Sequence, residues 1–441
     1  MKITHLYIEK YRNLRDFNLS MDKSKGYIQI LIGRNGSGKS NVLEAITLIF
    51  KGMSQQLKPE FSFELTYTLK GENIIVRGIK DDSFLIHYRG VEMELNKMMA
   101  TLQYRGETIL PDNIVLFYSG VNGRLEDLIS DIEDNFKKTL GQGSFIPRRF
   151  FYIKQEHYSM FILSLLCSEH SEIQRELNER FGIERIDSFK ISFTENSSKA
   201  TGEVKAFLNL LEKKATHINM KQKEKELIFE NAFPLLNEIR EEVGFARDVL
   251  KLLDIAYYSG YVNLPSITLW KTSKEKIPHE HLSEGEQQLL LLTGLVEFFG
   301  YKETLYLLDE PDMPLHPKWQ RDLKEYIEIF DVKQQFIITT HSANILTTVT
   351  KENVYILVDG STLDNTPFTL GRDINSILME LMGVTLRYDK TDDKLDEFYE
   401  LIDDMEFDKA QTLLDLLKTQ MGEDDTEMIR AQSWLDMEKD S

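Results

Sequence analysis

One cysteine, Cys167, is the entire thiol content of the 441 residues. That excludes internal disulfides and cysteine-rich zinc sites, and it suits a reducing compartment. The thiol sits in SLLCSEH on an apolar helical pattern, where a buried and inert side chain is expected. Long apolar runs are missing too: none approaches the roughly 20 residues that span a bilayer. The opening MKITHLYIEKYRNL is too charged for a signal peptide. The expectation is a cytoplasmic protein with no membrane partner. Positive charge is in deficit, with a net charge of −19. Residues 391–441 alone carry 17 acidic and 5 basic side chains, so this tail repels nucleic acid, while the remainder is close enough to neutral for local basic patches. Pro234 and Gly244 interrupt the longest helical stretch, which excludes an extended coiled-coil arm. The sequence holds no internal repeat and no low-complexity segment.

What the chain does have is GRNGSGKSN, Gly33 to Asn41. It follows the β-branched run YIQILI and precedes the helical pattern VLEAITLIF, the strand, loop and helix context that a phosphate loop requires. The glycines let successive backbone N–H groups close around phosphate oxygens, and the positive end of the following helix faces the same anion. The candidate nucleotide-binding residues are therefore Gly33, Arg34, Asn35, Gly36, Ser37, Gly38, Lys39, Ser40 and Asn41. Lys39 is placed to reach the β- and γ-phosphates of ATP, and Ser40 to ligate Mg²⁺.

A second element is LYLLDE, Leu305 to Glu310, an apolar strand ending in two acids. Asp309 is expected to hold Mg²⁺ through water and Glu310 to polarise the attacking water. A third is IITTHS, a buried strand ending at His341, which is assigned to the γ-phosphate. Strand ends of an open α/β sheet are where ligands bind, so all three are expected to face the glycine loop. Around them, residues 61–90 read as a meander of strands, 121–260 as mostly helical with a strand at RIDSFKISFT, Arg185 to Thr194, and 266–358 as alternating strand and helix with a mainly parallel sheet. The fold class expected is α/β, with a mixed sheet, an inserted mostly helical region and a C-terminal helical appendage. The corresponding divisions are 1–120 with 261–370 for the head, 121–260 for the insertion and 371–441 for the acidic appendage.

HLSEGEQQ, His281 to Gln288, reads as a loop leading into a helix about twenty residues before the acidic strand. L-S-x-G-x-x-Q in that place resembles the ABC signature. With GRNGSGKSN, LLDEP, TTHS and the opening I-x-x-Y-R-N-L, the chain resembles the ABC-type ATPases of the RecF, SMC and Rad50 group. That resemblance implies two heads sandwiching two ATP molecules, with Ser283, Gly285 and Gln287 of one copy beside the γ-phosphate held by Lys39 of the other. EPDMPLHP, Glu310 to Pro317, looks like the E-P-E-x-x-L-H-P form of defence-associated ATPases and unlike transporters. His316 reads equally as a structural turn residue. The glutamine of the coupling loop has two candidate locations, Gln103 and the FYSG segment around Tyr118.

GRDINSILMELMGV and the helical pattern after it are similar to the C-terminus of Septu-type anti-phage ATPase subunits (PtuA). The resemblance implies a separately encoded HNH nuclease partner of PtuB type, docked through the C-terminal helices. The alternatives are a helical cap that stabilises the head, or a RecF-like clamp acting on DNA. Nuclease chemistry inside this chain is not expected, because the nine histidines show no H-N-H grouping. NVYILVDG has Asp359 where a Toprim motif has glutamate, and helices follow it. Asp392-Asp393 and Asp424-Asp425 are expected as helix N-caps. Arg148-Arg149, flanked by aromatics, together with Lys213-Lys214 and Lys221 to Lys225, are the candidate nucleic-acid contacts, against a default of solvated surface.

Overall fold

The computed structural model describes the chain except residues 25, 121–122, 142–147, 155–156, 222–223, 329–332, 364–365, 384–388 and 440–441. Residues 1–372 pack as one compact unit and 373–441 as another.

The centre of the first unit is a seven-stranded sheet. Its order is Ser361–Thr362, Val354–Val358, Ile28–Ile32, Gln335–Thr339, Thr304–Asp309, Asn113–Tyr118 and Phe150–Ile153. All neighbours are parallel except the first pair. Ile28–Ile32, Thr304–Asp309 and Gln335–Thr339 are buried at every position, which is why they read as unbroken apolar runs. Registers of Asp309 with Thr339 and with Tyr118, and of Thr339 with Leu31, set four strand ends level. That alignment positions the site.

A second sheet is six-stranded and antiparallel, in the order Leu14–Ser20, Lys2–Tyr11, Phe63–Leu69, Glu72–Gly78, Phe84–Tyr88 and Val91–Glu94. Between the two sheets runs the helix Lys39–Gln55. Twelve of its 17 residues are buried, and one core joins Val42, Ile46 and Phe50 to Ile3, Leu65 and Val76 on one side and Leu31, Leu307 and Ile337 on the other. Gly52 permits the close approach, since a Cβ there would lie 2.9 Å from the Phe84 ring. A helix covered on both faces loses the polar stripe of a surface helix, as VLEAITLIF does.

The region 121–260 is mostly helix but also supplies strands to two sheets. Phe150–Ile153 forms the edge of the parallel sheet, and Ile183–Phe193 is central to a five-stranded antiparallel sheet. That sheet runs His217–Lys221, Glu224–Glu230, Ile183–Phe193, Ser266–Lys271, Lys276–Pro278. The stretch KELIFE, which lies in the longest segment read as helical, is strand. Leu227 and Phe229 alternate inward, and Phe229 stacks on Phe189 with ring centroids 4.1 Å apart. Cross-strand packing overrides propensity here. Residues 160–181 lie over two helices, Tyr158–Leu165 and Ser171–Glu179.

Arg148 and Arg149 do not form a nucleic-acid surface. The Arg148 side chain is only 4% exposed and pairs with Glu133 at 3.1 Å and Asp254 at 3.3 Å. Arg149 is drawn inward, where burial lowers its pKa. Phe150 and Tyr152 next to them are core residues, which accounts for the aromatic flank. Lys214 pairs with Glu238 and Glu242, and Lys225 with Glu212, while 222–223 lie outside the described residues. Cys167 is buried, and burial pushes its thiol up to about 12.

The second unit comprises the helices Ile374–Met382, Asp389–Asp403, Phe407–Met421 and Thr426–Lys439. Leu395, Phe398, Leu414, Leu417, Met428 and Leu435 form its core. Asp425 caps the last helix by accepting the Glu427 N–H at 2.9 Å. Asp392 and Asp393 instead lie inside their helix, where their charge suits its first turns.

Candidate nucleotide site

The glycine loop leaves the buried strand at Ile32 and closes on the helix at Lys39. Gly33, Gly36 and Gly38 have φ of 155°, 80° and 109°. A Cβ at Gly33 would meet the Leu357 carbonyl at 2.3 Å, so neither conformation nor space admits a side chain. Arg34, Asn35 and Gly36 are exposed at the tip, while the Ser37 hydroxyl is buried and has no hydrogen-bond partner among the described residues.

Lys39 is 6% exposed, and its ammonium donates to the carbonyls of Gly33 at 2.9 Å and Arg34 at 3.5 Å and to Nε2 of His341 at 2.8 Å. Burial lowers its pKa, and the charges of Glu310 and Asp309 oppose that. His341 is pushed down by burial and then by Lys39, so the neutral ring accepts the lysine proton donor. Its Nε2 lies 3.6 Å from Oε1 of Glu310. A single lysine thus stands among both acids and the histidine that the sequence nominates.

Asp309 is 3% exposed. Burial raises its pKa, while hydrogen bonds from the hydroxyls of Thr339 and Ser40 work against that rise. Ser40 thus stands beside Asp309, and two hard oxygen donors fit Mg²⁺, which binds through one or two protein oxygens plus water and phosphate. Among the described residues no cluster of three or more His, Cys, Asp or Glu forms a metal cage.

Glu310 has φ of 52°, the left-handed region that side chains avoid. The turn is held because its N–H is shared between the carbonyl and hydroxyl oxygens of Thr339, both at 3.1 Å, and its carbonyl accepts from Ser119. Beyond it, Asp312 is 5% exposed, accepts from Thr340 at 2.8 Å and is pushed up to about 6 by burial. His316 accepts the Lys318 N–H at 3.3 Å, a turn contact opening the helix Pro317–Glu328. Of the two coupling-loop candidates, Tyr118 is in register with Asp309 and leads to Ser119, whereas Gln103 is exposed on the helix Leu95–Tyr104.

Ser283 caps the helix Glu284–Phe299 through a capping box: it accepts the Glu286 N–H at 3.3 Å, and Glu286 accepts the Ser283 N–H at 2.8 Å. Burial favours the acid form of Glu286, but the Ser283 donors and Lys271 outweigh it and lower the pKa. Gly285 lies under Trp319, whose ring would be 3.0 Å from a Cβ. Gln287 donates to the Leu282 carbonyl at 2.9 Å. None of these bonds reaches Lys39, Asp309, Glu310 or His341, so the signature forms its own helix N-terminus apart from that cluster's hydrogen bonds.

Sequence reasoning missed the struts of the loop. Asn13 donates to the Gly36 carbonyl at 2.8 Å and accepts from Asn41 at 2.6 Å. Arg124 donates to the Asn41 oxygen at 2.9 Å and pairs at 2.7 Å with Glu44, which also holds Arg12 at 2.8 Å. The only available signal was Y-R-N-L in the first strand pair, which spacing could not tie to a loop twenty residues later.

The chain is similar to the probable ATPase of retron Vc95 from Vibrio cholerae serotype O1 biovar El Tor, 24% identical over 81% of this chain and 74% of the relative. It is 22% identical to the probable ATPase of retron Ec83 from Escherichia coli, over 100% and 87% of the two chains. It is also 22% identical to the DNA replication and repair protein RecF of Rickettsia canadensis, over 77% and 94%. The family described as "AAA domain, putative AbiEii toxin, Type IV TA system" matches residues 28–347, from the strand before the glycine loop to just past His341. The chain belongs to that family, and it is an ATPase.

Proposed function

We propose that this chain is the ATP-binding and ATP-hydrolysing regulatory subunit of a bacterial anti-phage defence complex of the Septu kind. In this reading two copies close head to head around ATP, and closure controls an HNH nuclease subunit docked partly through the acidic C-terminal helices. The observation that carries the ATPase chemistry is the meeting of Lys39 with His341 and of both with Glu310 and Asp309 at one set of strand ends. Lys39 exchanges its contacts to Gly33, Arg34 and His341 for phosphate oxygens. Glu310 is fixed by its strained turn to orient water. Mg²⁺, held by Ser40 and Asp309, supplies charge neutralisation at the phosphates when bound. Ser283 and Gly285 of a second copy offer a hydroxyl and a helix N-terminus to the γ-phosphate.

The defence assignment is supported by the two retron ATPases among the relatives and by the resemblance of the tail. Its test is co-purification with an HNH protein encoded beside this gene. The full chain should retain that protein, and a chain ending at Gly371 should lose it. Failure of the full chain to do so contradicts the reading. The alignment across 94% of a RecF favours a second reading, a clamp acting directly on DNA. ATP turnover stimulated by DNA without any protein partner would favour that one instead.

A further inference from the structure

A cavity of about 410 Å³ lies where the edge strand Phe150–Ile153, the helices Tyr158–Leu165 and Ala246–Tyr258, and the last turn of the helix Glu284–Phe299 meet. The volume falls in the range of small-molecule sites, roughly 300–1,000 Å³. Its inner wall is aromatic: Phe151 and Phe299 pack with ring centroids 4.7 Å apart, and Phe161 and Phe298 at 5.9 Å. Arg148 stiffens that wall. Its guanidinium lies 4.7 Å over Phe151 and is neutralised by Glu133 and Asp254, so it presents a fixed shape rather than a free charge.

The mouth differs. Arg247 and Lys302 flank one exposed ring, Tyr301, at 4.6 and 5.3 Å. Arg247 also lies 4.2 Å from the Phe245 ring, and its charge opposes the burial that raises the pKa of Glu297, but neither cation has a carboxylate oxygen within 4.0 Å among the described residues. The acids of the lining are already engaged: Asp248 accepts the Phe245 N–H at 3.1 Å, and Asp254 holds Arg148. An aromatic interior with two cations at the entrance suits a ligand with a planar ring at one end and negative charge at the other.

We propose that this cavity is a second, non-catalytic binding site for a small aromatic phosphate ester, a nucleoside monophosphate being the simplest case. The ring rests against Phe151 and Phe299, and the phosphate stays at the mouth with Arg247 and Lys302. Phe298 and Phe299 end the helix that Ser283 begins, so an occupant packs against the far end of the signature helix. Coupling of occupancy to ATP-driven closure follows only under the dimer reading proposed above, whereas the binding itself does not depend on it.

The test is isothermal titration of the Lys39→Ala chain, in which the glycine loop is disabled, with AMP, GMP, CMP, UMP and phenyl phosphate. Adenosine and inorganic phosphate serve as half-ligands. The expected result is one-to-one binding of at least one ester and at least tenfold weaker binding of either half. Adding Arg247→Ala and Lys302→Ala should weaken the ester at least tenfold. The same double variant with Lys39 intact should bind fluorescent ATP as the natural chain does, showing that the fold survives. The proposal is overturned if no ester binds the Lys39→Ala chain. Affinity unchanged by the double substitution overturns it equally.

Discussion

Asn13→Ala is the substitution that tests the loop geometry most sharply, because the side chain touches no phosphate position and its effect must pass through the loop. It removes the 2.8 Å bond to the Gly36 carbonyl and the 2.6 Å bond from Asn41. Each such bond contributes about 0.5–1.5 kcal/mol net, the exposed one at the low end because water replaces it. Together they hold the loop closed by about 1–2 kcal/mol, which converts to roughly 5–30-fold in affinity if the loop must be re-ordered on binding. The assay is titration of fluorescent ATP with Mg²⁺, with thermal unfolding measured in parallel. The expected result is weaker nucleotide binding with little change in unfolding temperature, since Leu14 and Phe17 still anchor the strand pair. Affinity within twofold of the natural chain would refute the assignment of Asn13 as a strut of the loop.

Three further outcomes follow from burial and charge. Arg148→Ala leaves Glu133 and Asp254 without their cation, at a cost of about 3–5 kcal/mol, read as a lower denaturation midpoint. Asp312, pushed up to about 6, binds its proton more tightly folded than unfolded, so stability falls as pH rises from about 4 to about 6. Asp312→Asn should therefore be more stable than the natural chain above that window, by at most about 3 kcal/mol, with the gap closing near pH 4; a gap independent of pH would contradict the cause given. Cys167 should react with a thiol reagent only on unfolding, and rapid labelling of the folded chain would contradict its burial.

The parallel sheet and its strand ends were legible because fully buried strands leave unbroken apolar runs, as in YLLD and FIIT, and their terminal residues are the site. The glycine loop was legible for a related reason, since only glycine tolerates the backbone at Gly33. The hairpin around Leu227 was not, because lysine and glutamate on its outer face imitate a helix and only contact with Phe189 decides otherwise. Arg148 was hidden for a complementary reason: adjacent arginines among aromatics read as solvated surface or as a nucleic-acid contact until the two acids that pair with Arg148, 15 residues before and 106 after, are seen in place. Asn13 lies in the Y-R-N-L pattern, but its role arises from the pairing that brings it under the loop, which that pattern does not reveal.

The proposed function requires nucleotide sites completed by two copies of the chain. Sedimentation velocity of the Glu310→Gln variant with ATP and Mg²⁺ measures this directly. A dimer that forms only with ATP and is lost on adding Ser283→Arg is the predicted result, whereas a monomer under every nucleotide condition, with ATP demonstrably bound, would contradict it.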